Sequence, residues 1–190
     1  MEYVPVLELP LLIIMVIIRA AILRRQGVKA FVFGASDKTD FVIIPIVLTF
    51  FYAITAAVFN LPFPQILKNP FWDYNVSTII VATAVCSGAL LWFAAALKTF
   101  KKSFRVGIDE NTKDELITGG MFALSRNPVY LAFIAFFTGI FAAYPNIATL
   151  AFLLFLTAAI HRQILREEKF LKNHYGAQYE EYRKKVRRYI

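Results

Sequence analysis

The sequence has one cysteine and two histidines among 190 residues. The single cysteine, Cys86, excludes a disulfide framework within the chain, and two separated histidines leave too few ligands for a zinc site, so no metal is expected. Charged residues are also scarce, at 18%, whereas 58% of the residues are hydrophobic and 16% aromatic. A water-soluble domain of this length rarely needs so much apolar surface, so the composition predicts an integral membrane protein.

Five hydrophobic segments are candidates for membrane-spanning helices, which need about 20 mostly apolar residues. Helices are expected because every backbone amide in lipid must be paired within its own segment. The last two segments are short and share the turn Tyr144-Pro145-Asn146, which predicts a helical hairpin over residues 128–161. The predicted fold is an all-α membrane protein with about five transmembrane helices. The segments are residues 3–23, 41–61, 76–97, 129–144 and 146–160.

The net charge of +8 is distributed unevenly along the chain. Basic residues concentrate in the loops 24–40 and 98–128 and in the tail from residue 162, whereas the opposite side holds only Lys68. The positive-inside rule then predicts five crossings, an N-terminus outside and a cytoplasmic C-terminus. Arg24 and Arg25 follow the first segment, which indicates a retained anchor rather than a secretion signal.

The tail after Gly176 has the pattern of an amphipathic helix. Tyr179, Tyr182 and Val186 form an apolar stripe among basic residues, and Gly176 is placed to end the preceding helix. We expect this helix to lie on the cytoplasmic leaflet and to bind anionic lipid headgroups. The same residues account for the basic excess without nucleic acid, which is not an expected partner.

Residues 1–97 are predicted to be a three-helix scaffold, and residues 98–190 the functional half. The polar residues of the scaffold are mostly threonines and serines, and Glu8 is expected at the membrane interface. With no ionisable residue expected near the middle of a span, transport is disfavoured.

Two polar clusters flank the predicted hairpin, in residues 125–128 and 161–168. Asn127 is a favoured N-cap and Pro128 a favoured first helical residue, so the helix start beside Arg126 predicts a small anion site. A hairpin brings its two ends together, which places the Glu167-Glu168 pair opposite Arg126. Such a site could hold a ligand that carries both charge signs. The alternative is a capped helix with a snorkelling arginine and exposed salt bridges of little energetic value.

These clusters belong to an ordered set of motifs in the C-terminal half. The chain here resembles the isoprenylcysteine carboxyl methyltransferase and phospholipid methyltransferase group of membrane enzymes. Two residues depart from the pattern of the prenylcysteine enzymes: Asn127 stands where they have histidine, and Phe122 replaces the more usual tyrosine. The matching segments are residues 104–109, 116–122, 126–130, 166–168, 175–182 and 186–188.

The resemblance implies S-adenosylmethionine as the cofactor. It also implies that Glu167 binds a polar group of the cofactor and that Arg162 or Arg166 faces the substrate. Arg126, Arg166 and Glu168 are the implied catalytic residues. The implied cofactor-binding residues are Glu115, Leu116, Ile117, Gly120, Phe122, Asn127, Pro128, Tyr130 and Glu167.

The implied reaction is methyl transfer to a membrane-partitioning acceptor, either an isoprenylcysteine-like carboxylate or a lipid headgroup. A carboxylate or thiolate acceptor needs no general base, whereas an amine would need one, and Glu167 or Glu168 is the nearest candidate. The short chain is typical of a prokaryotic form, which implies the inner membrane. The alternatives are a nicotinamide-dependent reductase related to sterol reductases and a non-enzymatic membrane scaffold or transporter.

Overall fold

The structure is a computed structural model that describes residues 4–25, 40–59, 61–73, 75–100 and 116–190. A short 3-10 helix, Gly120–Ala123, precedes the hairpin. The charged loops over residues 26–39 and 101–115, including the motif 104–109 and Glu115, lie outside the described residues. The α-helices are α1 (Val4–Arg25), α2 (Asp40–Phe59), α3 (Gln65–Lys68), α4 (Val76–Phe100), α5 (Pro128–Ala143), α6 (Ile147–Tyr175) and α7 (Ala177–Lys185).

Each of the five predicted hydrophobic segments is helical. Helices α1, α4 and α6 are long and apolar enough to cross a membrane, and α5 is a shorter apolar helix. The prediction of an all-α, multi-pass membrane protein is therefore confirmed. The count of five crossings and the orientation of the termini stay predictions.

The hairpin between α5 and α6 forms at the predicted turn. Asn146 caps α6, because its side chain accepts a hydrogen bond from the Thr149 N–H at 3.0 Å while Thr149 in turn reaches the Asn146 backbone. The second arm does not stop at residue 161, since α6 continues unbroken to Tyr175, where Gly176 ends it as predicted. At 1.5 Å per residue α6 is about 44 Å long, which exceeds the ~30 Å hydrocarbon layer. Its polar second half therefore extends beyond the apolar layer without breaking the helix.

The core lies where α4 packs along α5, with α1 against both helices and α6 against α5 and α2. Gly139 of α5 lies directly against α4. A Cβ atom built on Gly139 would stand 2.5 Å from the Cys86 sulfur and 3.1 Å from the Ala82 carbonyl oxygen. Gly88 of α4, in contrast, has open space beside it.

Glu8 is buried, and its expected place at the membrane interface stays a prediction. Its side chain packs against the middle of α4, where the Ser87 hydroxyl donates a hydrogen bond to Oε1, and the residue is only 9% exposed. Sequence alone does not give the axial offset between two helices, and this offset places Glu8 beside Ser87. A buried carboxyl inside a span is costly unless it is paired. The argument against transport assumed that no span holds an ionisable residue near its middle. The position of Glu8 removes that argument.

We expect Gly139→Ala to destabilise the fold by about 1–3 kcal/mol, because the new methyl group would force α4 and α5 apart. Gly88→Ala is the matched control and should unfold at the wild-type temperature or slightly above it. The measurement is the thermal unfolding midpoint in detergent. Equal midpoints for the two variants would contradict close packing at Gly139.

Glu8→Ala should lose the link to Ser87, at a cost of about 0.6–1.7 kcal/mol. Glu8→Gln should be as stable as the wild type, because an amide keeps a hydrogen-bonding oxygen and cannot ionise. A double-mutant cycle with Ser87→Ala, measured by unfolding in detergent, gives the coupling energy. A coupling indistinguishable from zero would show that the two side chains do not interact.

Candidate functional site

The first turn of α5 and the second half of α6 meet through Glu167. The Tyr130 hydroxyl donates a hydrogen bond to Glu167 Oε1, and Gln163 Nε2 donates to the same oxygen at 2.9 Å. Gln163 and Glu167 are four residues apart and so share one face of α6. The predicted meeting of the two ends of the hairpin is therefore present in the structure.

Arg126 pairs with Glu168, not with Glu167. Arg126 Nη2 lies 3.1 Å from Glu168 Oε1, and the two side chains are 8% and 11% exposed. The expectation of a carboxylate facing Arg126 is met, but the residue is the second glutamate of the pair. Neighbouring residues on a helix point about 100° apart, so Glu167 faces Tyr130 while Glu168 faces Arg126.

Glu168 also holds a second arginine, Arg188. Arg188 Nε donates to Oε1 at 3.0 Å and Nη2 donates to Oε2 at 2.8 Å, which is a two-point contact between guanidinium and carboxylate. The hydrogen bond to Glu168 raises the pKa of Arg188, so this arginine stays charged. Sequence reasoning assigned Arg188 no role, although the motif 186–188 contained it.

The C-terminal segment that carries Arg188 also binds the start of α5 through its backbone. The Arg187 carbonyl accepts from the Arg126 N–H at 3.1 Å. The Arg188 carbonyl accepts from Asn127 Nδ2 at 3.1 Å and from the Ser125 hydroxyl at 3.3 Å. Ser125, which the sequence did not single out, also accepts the Asn127 N–H.

Asn127 and Pro128 stand at the predicted N-cap and first helical positions of α5. The Asn127 side chain does not cap the helix, however, because its amide is directed to the Arg188 carbonyl. Trp92 of α4 fixes the first turn from the other side by donating its indole N–H to the Pro128 carbonyl at 3.0 Å. The start of α5 is thus held by side-chain and tail contacts.

An apolar cluster closes one side of the site. Leu116 and Ile117 pack against Phe122, Tyr179 and Tyr182, and the Tyr182 hydroxyl donates to the Phe122 carbonyl at 2.7 Å. Phe122 is therefore a buried core residue, and its contact with a cofactor stays a prediction. The same cluster covers the apolar stripe of α7, so protein rather than the lipid leaflet packs against Tyr179 and Tyr182.

Gly120 has a conformational role. Its φ of +58° lies in the left-handed region, and a Cβ atom there would come within 2.8 Å of both branches of the Thr99 side chain. Gly120 therefore lets the 3-10 helix pack against the end of α4. The proximity of this glycine to a cofactor stays a prediction.

Arg162 is exposed and Arg166 is half-buried on α6. The two residues are four positions apart, on a helical face next to that of Gln163 and Glu167. Both arginines have interaction partners in the protein. Their predicted role toward a substrate stays a prediction.

Three buried polar atoms near Glu168 lack hydrogen-bond partners within the described part of the chain. They are Arg126 Nε, Arg126 Nη1 and the Tyr179 hydroxyl. Burial raises the pKa of Tyr179, and the charges of Glu168, Arg126 and Arg188 also act on it, which places its hydroxyl within their electrostatic reach. Buried donors without acceptors are costly, so these atoms mark a place for an anionic or polar group.

An apolar cleft of about 450 Å³ lies elsewhere, between α2, α3 and the beginning of α6. Phe50, Phe63 and Phe152 are among its lining residues. Phe152 and Glu167 are separated by about 22 Å along α6, at 1.5 Å per residue. This cleft is therefore distinct from the polar site.

Glu168→Ala should destabilise the protein by about 2–4 kcal/mol, because it leaves two guanidinium groups close together, one of them buried, without their carboxylate. The control is Glu180→Ala, which removes the solvent-accessible pairs with Lys172 and Arg183 at 3.1 Å and should change stability little. Unfolding in detergent measures both variants. Equal losses of stability in the two variants would show that the ion pairs of Glu168 behave like solvent-accessible pairs.

Comparison with known proteins supports the expected resemblance. A protein-S-isoprenylcysteine O-methyltransferase of Schizosaccharomyces pombe is 31% identical over 134 residues, which cover 69% of this chain and 56% of that protein. Probable protein-S-isoprenylcysteine O-methyltransferases of Oryza sativa, from the subspecies indica and japonica, are each 30% identical over 126 residues, or 65% of this chain and 63% of theirs. The chain thus spans less than two thirds of the length of these relatives.

These relatives are eukaryotic, so a prokaryotic origin stays a prediction. No solved structure matches the chain significantly. The sequence model of the family described as phospholipid methyltransferase matches residues 77–178, which is more than half of the chain and includes α5, the whole of α6 and the Glu167-Glu168 pair. The chain therefore belongs to the phospholipid methyltransferase family.

Proposed function

We propose that this protein is an integral-membrane methyltransferase that takes a methyl group from S-adenosylmethionine and transfers it to a lipophilic acceptor. The family and the names of the relatives support the type of reaction. The observation that carries the proposal is the buried cluster of opposite charges where α5 begins and α6 leaves the apolar layer.

The residues present fit the chemistry of S-adenosylmethionine, which carries a carboxylate, an ammonium group and a sulfonium. Arg126 has two buried donors without partners, and these would hold the carboxylate. Glu167 would hold a polar or positive group, and Leu116 and Ile117 would contact the adenine. When bound, the cofactor supplies a methyl group that the positive sulfur activates for transfer.

The residues of the protein contribute orientation and exclusion of water. Methyl transfer is an in-line displacement, so a dry site that aligns donor and acceptor supplies much of the rate. An isoprenylcysteine-like carboxylate would arrive ionised and need no base, and Arg162 or Arg166 would orient it. The apolar faces of α5 and α6 give a lipophilic acceptor a lateral path to the site.

A lipid headgroup with an amine would require the removal of a proton. Glu167 is better placed for this role than Glu168, because the two hydrogen bonds recorded to Glu167 come from neutral donors, whereas Glu168 is held by two guanidinium groups. The proposed acceptor is therefore a carboxylate or an amine, and the two differ in whether Glu167 takes part in proton transfer.

The site is proposed to face the cytoplasm, with the N-terminus outside. The basic residues in the last turn of α7 are exposed, and on the cytoplasmic side they would meet anionic lipid headgroups. The cofactor would then enter from the cytosol and the acceptor from the membrane.

The purified full-length protein should bind S-adenosylhomocysteine, the demethylated cofactor, in calorimetry in detergent. Glu167→Gln should weaken this binding about 10- to 100-fold, because it removes a charged hydrogen-bond acceptor from the site. Glu181→Gln is the matched control, since Glu181 is an exposed acid of α7, and it should bind like the wild type.

Absence of S-adenosylhomocysteine binding in detergent and in lipid nanodiscs would contradict the proposal. Binding of a reduced nicotinamide nucleotide in its place would favour the reductase alternative. Binding of neither ligand would favour a scaffold or transporter. Radiolabelled methyl transfer into a total lipid extract would then identify the acceptor class of an active enzyme.

A further inference from the structure

The last residues of the chain are built into the site. After α7, the backbone of residues 186–189 runs past the start of α5, and two of its carbonyl groups accept hydrogen bonds from residues 125–127. Tyr189 contacts α6 through a hydrogen bond of 2.6 Å between its hydroxyl and His161 Nδ1. The C-terminal segment therefore touches both arms of the hairpin.

Arg188 determines how the oxygens of Glu168 are shared. Arg188 makes contacts with both oxygens, at 3.0 and 2.8 Å, whereas Arg126 reaches only Oε1 through Nη2, at 3.1 Å. Arg188 Nη2 fills one of the two acceptor positions of Oε2 and so competes with Arg126 for a two-point contact with this carboxylate. Arg126 Nε and Nη1 are buried without partners among the described residues.

The charges of Arg126, Glu168 and Arg188 lead to the same conclusion. Two guanidinium groups and one carboxylate leave one positive charge in a mostly buried place. Without Arg188, the pair of Glu168 and Arg126 would be neutral, and Glu168 could rotate to take two donors of Arg126. The cluster would then have no net positive charge, and Arg126 would have fewer free donors for an anionic ligand.

We propose that Arg188 is a positioning residue that holds Glu168 in a two-point contact and so keeps two donors of Arg126 available for the carboxylate of the bound cofactor. This inference rests on the proposed function. It assigns the C-terminal segment, some 20 residues after the Glu pair along the chain, a part in cofactor recognition.

The test compares two ligands that differ in the amino-acid part. S-adenosylhomocysteine carries the carboxylate, and 5′-methylthioadenosine has the same nucleoside and a sulfur without it. Their affinities are measured by calorimetry for the full-length wild type, Arg188→Ala, Arg188→Lys and Lys185→Ala. Lys185 is an exposed cation of the same tail, so its variant controls for the loss of one positive charge.

Arg188→Ala should bind S-adenosylhomocysteine about 10- to 100-fold more weakly, in line with the loss of a charged hydrogen bond, and 5′-methylthioadenosine within about twofold of the wild type. Arg188→Lys should recover part of the loss, because it restores the charge without the two-point contact. Lys185→Ala should match the wild type for both ligands.

Equal weakening of both ligands in Arg188→Ala would overturn the inference, since it would show a structural role without selectivity for the carboxylate. Unchanged affinity for S-adenosylhomocysteine would overturn it as well. If the wild type binds S-adenosylhomocysteine and Arg188→Ala shows no selective loss, only the role of Arg188 is wrong. If the wild type does not bind S-adenosylhomocysteine, the proposed function itself fails.

Discussion

The pairing of Glu168 with two arginines is the interaction on which the arrangement of the site depends. It joins three segments that are distant in sequence: the segment just before α5, the second half of α6 and the C-terminal segment. A mostly buried carboxylate is costly unless its charge and its lone pairs are both satisfied. Two guanidinium groups provide this, and in doing so they fix the register of α6 against α5 and bring the end of the chain back to the hairpin.

The two adjacent glutamates have different environments as a result. Glu167 accepts hydrogen bonds from Tyr130 and Gln163, which are neutral, whereas Glu168 is compensated by two positive charges. Carboxyl groups in unlike surroundings can take unlike roles in one site. Here the geometry separates a carboxylate that organises the arginines from one that is held only by neutral donors.

Helices and their ends depend mainly on residues that are close in sequence, and local sequence signals predicted them. Hydrophobic length predicted the helices, Asn127-Pro128 predicted the start of α5, and Gly176, with a φ of +51°, ends α6 as expected. The pattern of α7 predicted its apolar stripe, but a stripe does not reveal whether lipid or protein will cover it. The structure shows protein, through Tyr179 and Tyr182.

Contacts that depend on rotation or on distant parts of the chain could not be predicted in this way. Neighbouring residues on α6 point about 100° apart, so the rotation of α6 about its own axis decides which glutamate meets Arg126. The pairing of the two hairpin arms alone does not fix that rotation. Arg188 was part of a recognised motif, yet its contact requires the tail to fold back across α5. The contact of Glu8 with Ser87 could not be predicted either, because the offset between α1 and α4 is set by tertiary packing.

The environment of Glu167 also limits the chemistry that the site can perform. A proton taken up by Glu168 would have to displace a guanidinium group from a buried contact, which would disrupt the links between α5, α6 and the tail. A proton taken up by Glu167 would disturb only hydrogen bonds from Tyr130 and Gln163, and both side chains can also accept a hydrogen bond. If the acceptor is an amine, Glu167 is therefore the proposed proton acceptor, because the arginine cluster would stay intact. If the acceptor is a carboxylate, the same site works with no change in protonation, so one architecture accommodates both acceptor chemistries implied by the family.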